Sequence, residues 1–83
     1  MPVNYARLRN VTAREIISAL VRDGFAFDRG AGSHQVYCHP DGRRVVVTFH
    51  SPSGTFAPKT LRSMIEDDAR WNEADLKRLK LVK

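Results

Sequence analysis

A proline–aspartate–glycine turn between two strand-like runs constrains the fold of this chain more than any other feature. The turn occupies residues 40–42, and the runs that flank it are residues 34–39 and 44–49. Proline presets the backbone at the first turn position, aspartate tolerates the second, and glycine adopts the left-handed conformation of the third. The sequence therefore predicts an antiparallel β-hairpin with a three-residue loop and a glycine bulge.

The loop length determines which residues of the two strands face each other. A three-residue loop pairs His39 with Arg43, whereas a two-residue loop would shift the pairing by one residue and exchange the two faces. We favour the three-residue loop because it makes one face mostly apolar, and that face can pack on helices. The apolar face would carry Ser33, Gln35, Tyr37, Val45, Val47 and Phe49. The other face would carry His34, Val36, Cys38, Arg44, Val46 and Thr48, with His50 diagonally beside His34.

The residues before the hairpin predict a helix and a short strand. Thr12 and Glu15 have the spacing of a capping box, and apolar residues then recur at helical spacing. Gly24 is typical of the position that ends a helix. Residues 25–29 alternate weakly and predict a first strand, which residues 30–33 interrupt.

The residues after the hairpin predict two further helices. Pro58 suits the first turn of a helix, and Asn72 suits the cap of a short final one. Residues 79–83 are expected to fray. The apolar stripe of the longer helix would consist of Leu61, Met64, Ile65 and Ala69.

This order of elements predicts an α+β fold in a single domain spanning residues 1–83. It runs helix, strand, strand, strand, helix, with a short extra helix at the C-terminus. The strands would form a three-stranded antiparallel sheet with helices packed on one face. We place the core at about residues 11–79, because a chain of 83 residues buries enough surface for one modest core.

The charge of the chain indicates a polyanionic partner. Fourteen lysines and arginines oppose nine acidic residues, which gives a net charge of +5. Such a basic domain often binds nucleic acid, although a basic surface can also serve solubility alone. No apolar run approaches the roughly 20 residues of a membrane span, and residues 1–7 lack the apolar core of a signal peptide. We therefore expect a cytoplasmic protein that does not contact a membrane.

Cysteine and histidine usage argues against a disulfide and against a metal site. The chain has one cysteine, Cys38, so no intrachain disulfide can form. A zinc site would combine Cys38 with histidines, but the neighbouring Cys38 and His39 would point to opposite faces of a strand. We expect no metal and no cofactor.

His34 is the residue best placed for chemistry. It would begin a strand on the polar face of the sheet, beside a glycine-containing loop, and imidazole exchanges protons near neutral pH. RNA carries its own nucleophile, the 2′-hydroxyl, so its cleavage needs a base, an acid and cations that bind phosphate. Arg44, Lys59 and Arg62 would supply the cations. Judged from these residues alone, His34 is more often interpreted as a surface histidine without a catalytic role.

Five short motifs between Leu20 and about Leu76 add to this picture. They are Leu-Val-Arg-Asp-Gly-Phe at 20–25, Gly-Ser-His-Gln-Val-Tyr at 32–37, His-Pro-Asp-Gly at 39–42, Val-Val-Val at 45–47 with His50, and Thr-Leu-Arg-Ser-Met-Ile at 60–65. In this order and spacing they resemble the HicA family of messenger-RNA-cleaving toxins. The resemblance implies a fold like that of the double-stranded-RNA-binding domain, with His34 as the catalytic residue. It also implies a HicB antitoxin, typically acidic around the toxin-binding surface, that covers the site.

The chain departs from the family pattern at three places. Thr48-Phe49-His50 stands where the family usually has Pro-x-His, and Lys59-Thr60-Leu61 stands where it often has Gly-Thr-Leu. Asp68-Ala69-Arg70 replaces the usual Gln-Ala-Gly near the end of the second helix. These departures lie beside the predicted site and leave His34 unchanged.

We predict a toxin of a type II toxin–antitoxin system that cleaves single-stranded messenger RNA without metal and is blocked by a HicB-like antitoxin. His34 would be catalytic, and the RNA would contact Ser33, Arg44, His50, Lys59 and Arg62. Residues 1–10 receive no role. Two alternatives stay open, namely a non-catalytic RNA-binding module of similar fold and a domain whose basic face binds an acidic protein.

Overall fold

A three-stranded antiparallel sheet forms the frame on which the helices pack. The computed structural model describes residues 5–82, with the side chain of Ala6 excepted. The strands are β1 (Ala26–Ala31), β2 (His34–Cys38) and β3 (Arg44–Thr48), in that order across the sheet. A short 3-10 helix (Tyr5–Arg7) comes first, and the α-helices of the described residues are α1 (Ala13–Arg22), α2 (Pro58–Arg62), which continues as a π-helical segment (Ser63–Asp68), and α3 (Glu73–Arg78). The predicted α+β architecture is confirmed.

The hairpin of β2 and β3 has the predicted three-residue loop. The His39 N–H donates to the Arg43 carbonyl at 2.9 Å, and Gly42 has the expected positive φ of 99°. The paired residues are His34 with Thr48, Gln35 with Val47, Val36 with Val46, Tyr37 with Val45, and Cys38 with Arg44. The predicted register is therefore confirmed over the whole hairpin.

The two faces of the sheet differ as this register requires. Tyr37, Val45 and Val47 are buried in the same core cluster as the apolar residues of the helices. We call this the inner face. The opposite, outer face exposes His34, Arg44, Val46 and Thr48, although Val36 at its centre is buried. In the part of the chain that the structure describes, the core residues of the helices cluster with the inner face, which leaves the outer face open to a ligand.

Local signals define both ends of α1. The Thr12 hydroxyl accepts from the Glu15 N–H while the Glu15 carboxylate accepts from the Thr12 N–H, which is the predicted capping box. At the other end, the Gly24 N–H donates to the Val21 carbonyl and the Phe25 N–H donates to the Leu20 carbonyl. These two bonds form a Schellman motif that turns the chain into β1.

β1 is longer than predicted. Gly30 and Ala31 belong to the strand because they pair with Gln35 and His34. Only the two residues Gly32 and Ser33 turn the chain into β2. The prediction that the strand ends at Arg29 is therefore wrong, because glycines at 30 and 32 do not prevent Gly30 and Ala31 from pairing with β2.

The chain after Pro58 forms the second half of the helical layer. Pro58 occupies the first turn of α2, and the predicted stripe of Leu61, Met64, Ile65 and Ala69 is buried. The turn that follows ends at Arg70, whose φ is +57°. A residue with a side chain in this left-handed backbone conformation destabilises the folded state by roughly 1 kcal/mol or more relative to glycine. Arg70 stands where the family pattern has glycine, so that departure carries a conformational cost.

Both terminal segments add to the core beyond residues 11–79. Asn72 caps α3, as predicted, and the structure adds a capping box between Asn72 and Asp75. Leu79 and Leu81 are buried, so the expected fraying does not apply to them. Leu8 is fully buried on the N-terminal side, while residues 1–4 lie outside the described part of the chain.

The carboxylate of Asp23 joins α1 to the hairpin loop and to the C-terminal helix. It accepts from Arg43 Nη1 at 3.0 Å, from Trp71 Nε1 at 2.9 Å and from Arg78 Nη2 at 2.8 Å. Burial by itself would raise the pKa of Asp23. The bonds from Trp71 and Arg78 and the charge of Arg43 outweigh burial and hold the pKa below its usual value.

We expect Asp23→Asn to lower the free energy of unfolding by about 2 kcal/mol at neutral pH, because two guanidinium groups lose their anionic acceptor. A lowered pKa stabilises the fold fully above the unfolded-state pKa of about 3.9, and this contribution disappears as pH falls through the folded-state pKa. The difference between the two proteins should therefore shrink in acid. Urea unfolding at neutral and acidic pH measures it.

The matched control is Asp28→Asn, which removes the same charge from the exposed strand β1. Its effect should stay within about 0.5 kcal/mol at every pH. A difference between wild type and Asp23→Asn that persists unchanged in strong acid would contradict the role of the ionised carboxylate.

Candidate functional site

A two-residue turn sets the position of His34. Gly32 and Ser33 connect β1 to β2, and Ala31 pairs directly with His34 across the turn. Gly32 has a φ of +59°, a backbone conformation that residues other than glycine and asparagine rarely adopt. His34 is thus the first residue of the central strand, with a paired neighbour on each side.

The imidazole of His34 is exposed on the outer face. Within residues 5–82 it has no side-chain hydrogen bond and no ion pair. The backbone of His34 is held in place by the sheet. His34 pairs with Thr48 of β3, and the neighbouring Phe49 N–H donates to the Ser33 carbonyl at 2.9 Å. A rigid backbone thus presents a ring whose nitrogens are both available to a ligand.

His50 and Ser33 lie at the same end of the sheet as His34. His50 follows Thr48 by two residues, just beyond the end of β3, and it is exposed. Ser33 precedes His34 directly and is half-buried. The structure therefore brings three of the predicted site residues together at this end, which we call the His34 end.

Arg44 lies at the other end of the outer face. It pairs with Cys38, four residues along β3 from the Thr48 that faces His34. At about 3.4 Å per residue this separation is about 14 Å. The structure thus keeps Arg44 on the predicted face but away from His34.

Lys59 and Arg62 are exposed on α2, in the helical layer. α2 begins near the His34 end, because Thr55 bridges to Thr12 at the start of α1 shortly before the chain reaches Pro58. Arg62 Nε lies 3.5 Å from Glu66 Oε2, so its charge is already shared. Lys59 has no ion pair within residues 5–82 and is the freer of the two cations.

Arg29 is a further candidate site residue that the sequence did not indicate. A β-bulge at Asp28 reverses the alternation of β1, so Arg29 pairs with Val36 and joins the outer face. Arg29 is diagonal to His34 across the pair of strands, and such diagonal neighbours lie about 7–8 Å apart. This distance is within reach of the long arginine side chain. Its guanidinium is 71% exposed and 3.9 Å from Asp28. No sequence signal marks the bulge, because it appears only in the pairing with β2.

The loop after β3 links the His34 end to α1. The Ala13 N–H donates to the Gly54 carbonyl at 2.9 Å, and the Arg14 N–H donates to the Pro52 carbonyl at 3.0 Å. These bonds satisfy N–H groups of the first turn of α1 that have no partner within the helix. The first turn of α1 therefore lies directly against the loop that follows His50.

Comparison with known proteins identifies the family. The family model described as a HicA toxin of bacterial toxin–antitoxin matches residues 13–69, more than two thirds of the chain. The chain belongs to the HicA toxin family. No curated protein matches it significantly.

The match runs from the start of α1 to the end of the π-helical segment. It includes His34 and the other predicted site residues of this HicA toxin. Within residues 5–82, no helix has the length and apolar character needed to span a membrane. In the same part of the chain, no three His, Cys, Asp or Glu side chains are grouped as metal ligands would be.

The turn before His34 gives a direct test of how the site is positioned. We expect Gly32→Ala to lower the free energy of unfolding by about 1 kcal/mol. A Cβ at this position would meet no atom within 4 Å, so the loss is conformational rather than steric. Gly32→Asn should lose less, because asparagine tolerates positive φ. Urea unfolding of the two variants measures the difference, and an alanine variant as stable as wild type would contradict the assigned turn.

Proposed function

We propose that this HicA toxin cleaves single-stranded messenger RNA in the cytoplasm, with His34 as its catalytic residue and without a metal ion. The observation that carries the proposal is the placement of His34. It is an exposed imidazole at the first position of the central strand, with no side-chain partner within residues 5–82, and it lies inside the part of the chain that the family model matches. An imidazole so placed can take or give a proton near neutral pH.

The proposed reaction uses the 2′-hydroxyl of RNA as the nucleophile. The 2′-oxygen attacks the adjacent phosphorus, the bond from phosphorus to the 5′-oxygen breaks, and the products are a 2′,3′-cyclic phosphate and a 5′-hydroxyl. His34 would remove the proton from the 2′-hydroxyl or deliver one to the departing oxygen. His50, at the same end of the sheet, would be the second proton-transfer group or a phosphate contact.

Cations near His34 would bind the phosphate on which negative charge accumulates. Arg29 is the nearest by pairing register, since it lies diagonal to His34 on the outer face. Lys59 is exposed at the start of α2, and Ser33 adds a hydroxyl beside His34. Arg44, about 14 Å along the strand, would contact a flanking phosphate instead, while Arg62 would contribute less because Glu66 shares its charge.

We further propose that a HicB-like antitoxin blocks this toxin by covering the outer face. Membership of a toxin–antitoxin family supports the existence of such a partner. The net charge of +5 supports an acidic surface on it. Because His34 is exposed on the outer face, a partner that covers this face would exclude RNA without changing the fold.

The test compares wild type with His34→Ala on a long single-stranded RNA in the presence of a chelator. We expect the variant to cleave at least about 100-fold more slowly while it binds RNA as before, because general acid–base catalysis contributes about 10²–10⁴. Gel analysis of cleavage and filter binding measure the two properties.

Val46→Thr is the matched control, since it changes an exposed side chain on the same face and should leave the rate unchanged. Cleavage by His34→Ala at the wild-type rate would contradict the proposal. So would a strict requirement for a divalent cation. Binding by both proteins without cleavage would favour a non-catalytic RNA-binding module.

A further inference from the structure

A basic groove runs along the side of α1 that faces away from the sheet. α1 buries Ala13, Ile16, Ala19 and Leu20 and turns its other side to solvent. There it forms a groove of about 350 Å³ with the C-terminal segment. The groove is lined by Arg14, Ser18, Arg22 and Lys80, above the buried side chains of Leu79 and Leu81.

The cations of this groove are available to a ligand. Within residues 5–82, Arg14, Arg22 and Lys80 have no ion pair or side-chain hydrogen bond. The acidic residue in the lining, Glu15, has its carboxylate bound to the N–H and hydroxyl of Thr12 at 3.0 and 3.1 Å. The groove therefore presents three unpaired positive charges against one engaged negative charge.

The spacing of these charges fits a phosphate chain. Arg14 and Arg22 are two helical steps of four residues apart, which is about 12 Å along the axis of α1. A stacked nucleic-acid strand rises about 3.4 Å per phosphate, so this length spans three or four phosphates. The lining offers no exposed aromatic or large apolar side chain of the kind that anchors a protein interface. These properties favour a polyanionic chain over a folded protein.

The groove also continues towards the His34 end. A second cavity of about 410 Å³ shares Glu15 and Leu81 with it and extends past Val11 to Asn10 and Arg7. The first turn of α1 at this point is bonded to the loop that follows His50. The start of the groove therefore lies against the loop that follows His50, at the His34 end of the domain.

We propose that this groove, which we call the α1 groove, is a second RNA-binding site that holds a segment of the same strand whose cleavage occurs at His34. The identity of the ligand rests on the proposed function, but the site itself is separate from the catalytic residue. Its role would be to add affinity for long RNA without taking part in the reaction.

The test uses the double variant Arg14→Gln/Arg22→Gln and a long 2′-O-methyl RNA, which cannot be cleaved because its 2′-oxygens are blocked. We expect the affinity to fall roughly tenfold, as two exposed charge contacts are lost. The dependence of log K on log salt should become shallower by about 1.4, at 0.7 per phosphate contact. Cleavage of a trinucleotide, which is too short to reach the groove, should be unchanged.

The control is Arg70→Gln/Lys77→Gln, which removes the same charge outside the groove and should leave the affinity unchanged. An equal loss of RNA affinity in both double variants would overturn the proposal in favour of a non-specific effect of net charge. Unchanged RNA affinity, with weaker binding of an acidic protein partner, would overturn it in favour of a protein site. Because the affinity of the blocked RNA does not depend on His34, failure of the catalytic proposal would appear separately, as absent trinucleotide cleavage.

Discussion

The contacts of Asp23 hold together the end of the domain opposite to His34. Its carboxylate binds the hairpin loop through Arg43 and the C-terminal region through Trp71 and Arg78. The backbone carbonyl of Asp23 accepts from His39 Nε2 at 2.8 Å. Arg43 extends the network by donating to the Ala69 carbonyl at 2.7 Å. With strands and helices joined at this end, the other end can display unpartnered polar side chains on a rigid backbone.

Much of the fold follows from local signals that a single sequence contains. The capping boxes at Thr12 and Asn72 each join residues three positions apart, and Pro40-Asp41-Gly42 sets the hairpin register within its own loop. The Asp23 network could not be predicted in this way. Its partners Arg43, Trp71 and Arg78 lie 20 to 55 residues away along the chain, and no local pattern connects them to Asp23.

The candidate site likewise contains features that local sequence signals predict and features that they do not. His34 could be singled out from the sequence, because its turn, its strand position and its chemistry are all local. The cations that we propose bind phosphate could not be selected from the sequence, because their distances from His34 depend on pairing and topology. The bulge at Asp28 brings Arg29 onto the face of His34, while the length of β3 places Arg44 at the far end. What we propose is therefore a small basic domain with its catalytic residue at one end and phosphate-binding side chains spread around it.

The chemical identity of the RNA ends tests the central claim most directly, because it reports which oxygen attacked the phosphorus. Products of wild-type cleavage in a chelator can be treated with enzymes specific for each end group and analysed by mass spectrometry. Attack by the 2′-hydroxyl with proton transfer through His34 predicts 2′,3′-cyclic phosphate and 5′-hydroxyl ends. Products with 3′-hydroxyl and 5′-phosphate ends would show that water attacked instead, and they would contradict this account.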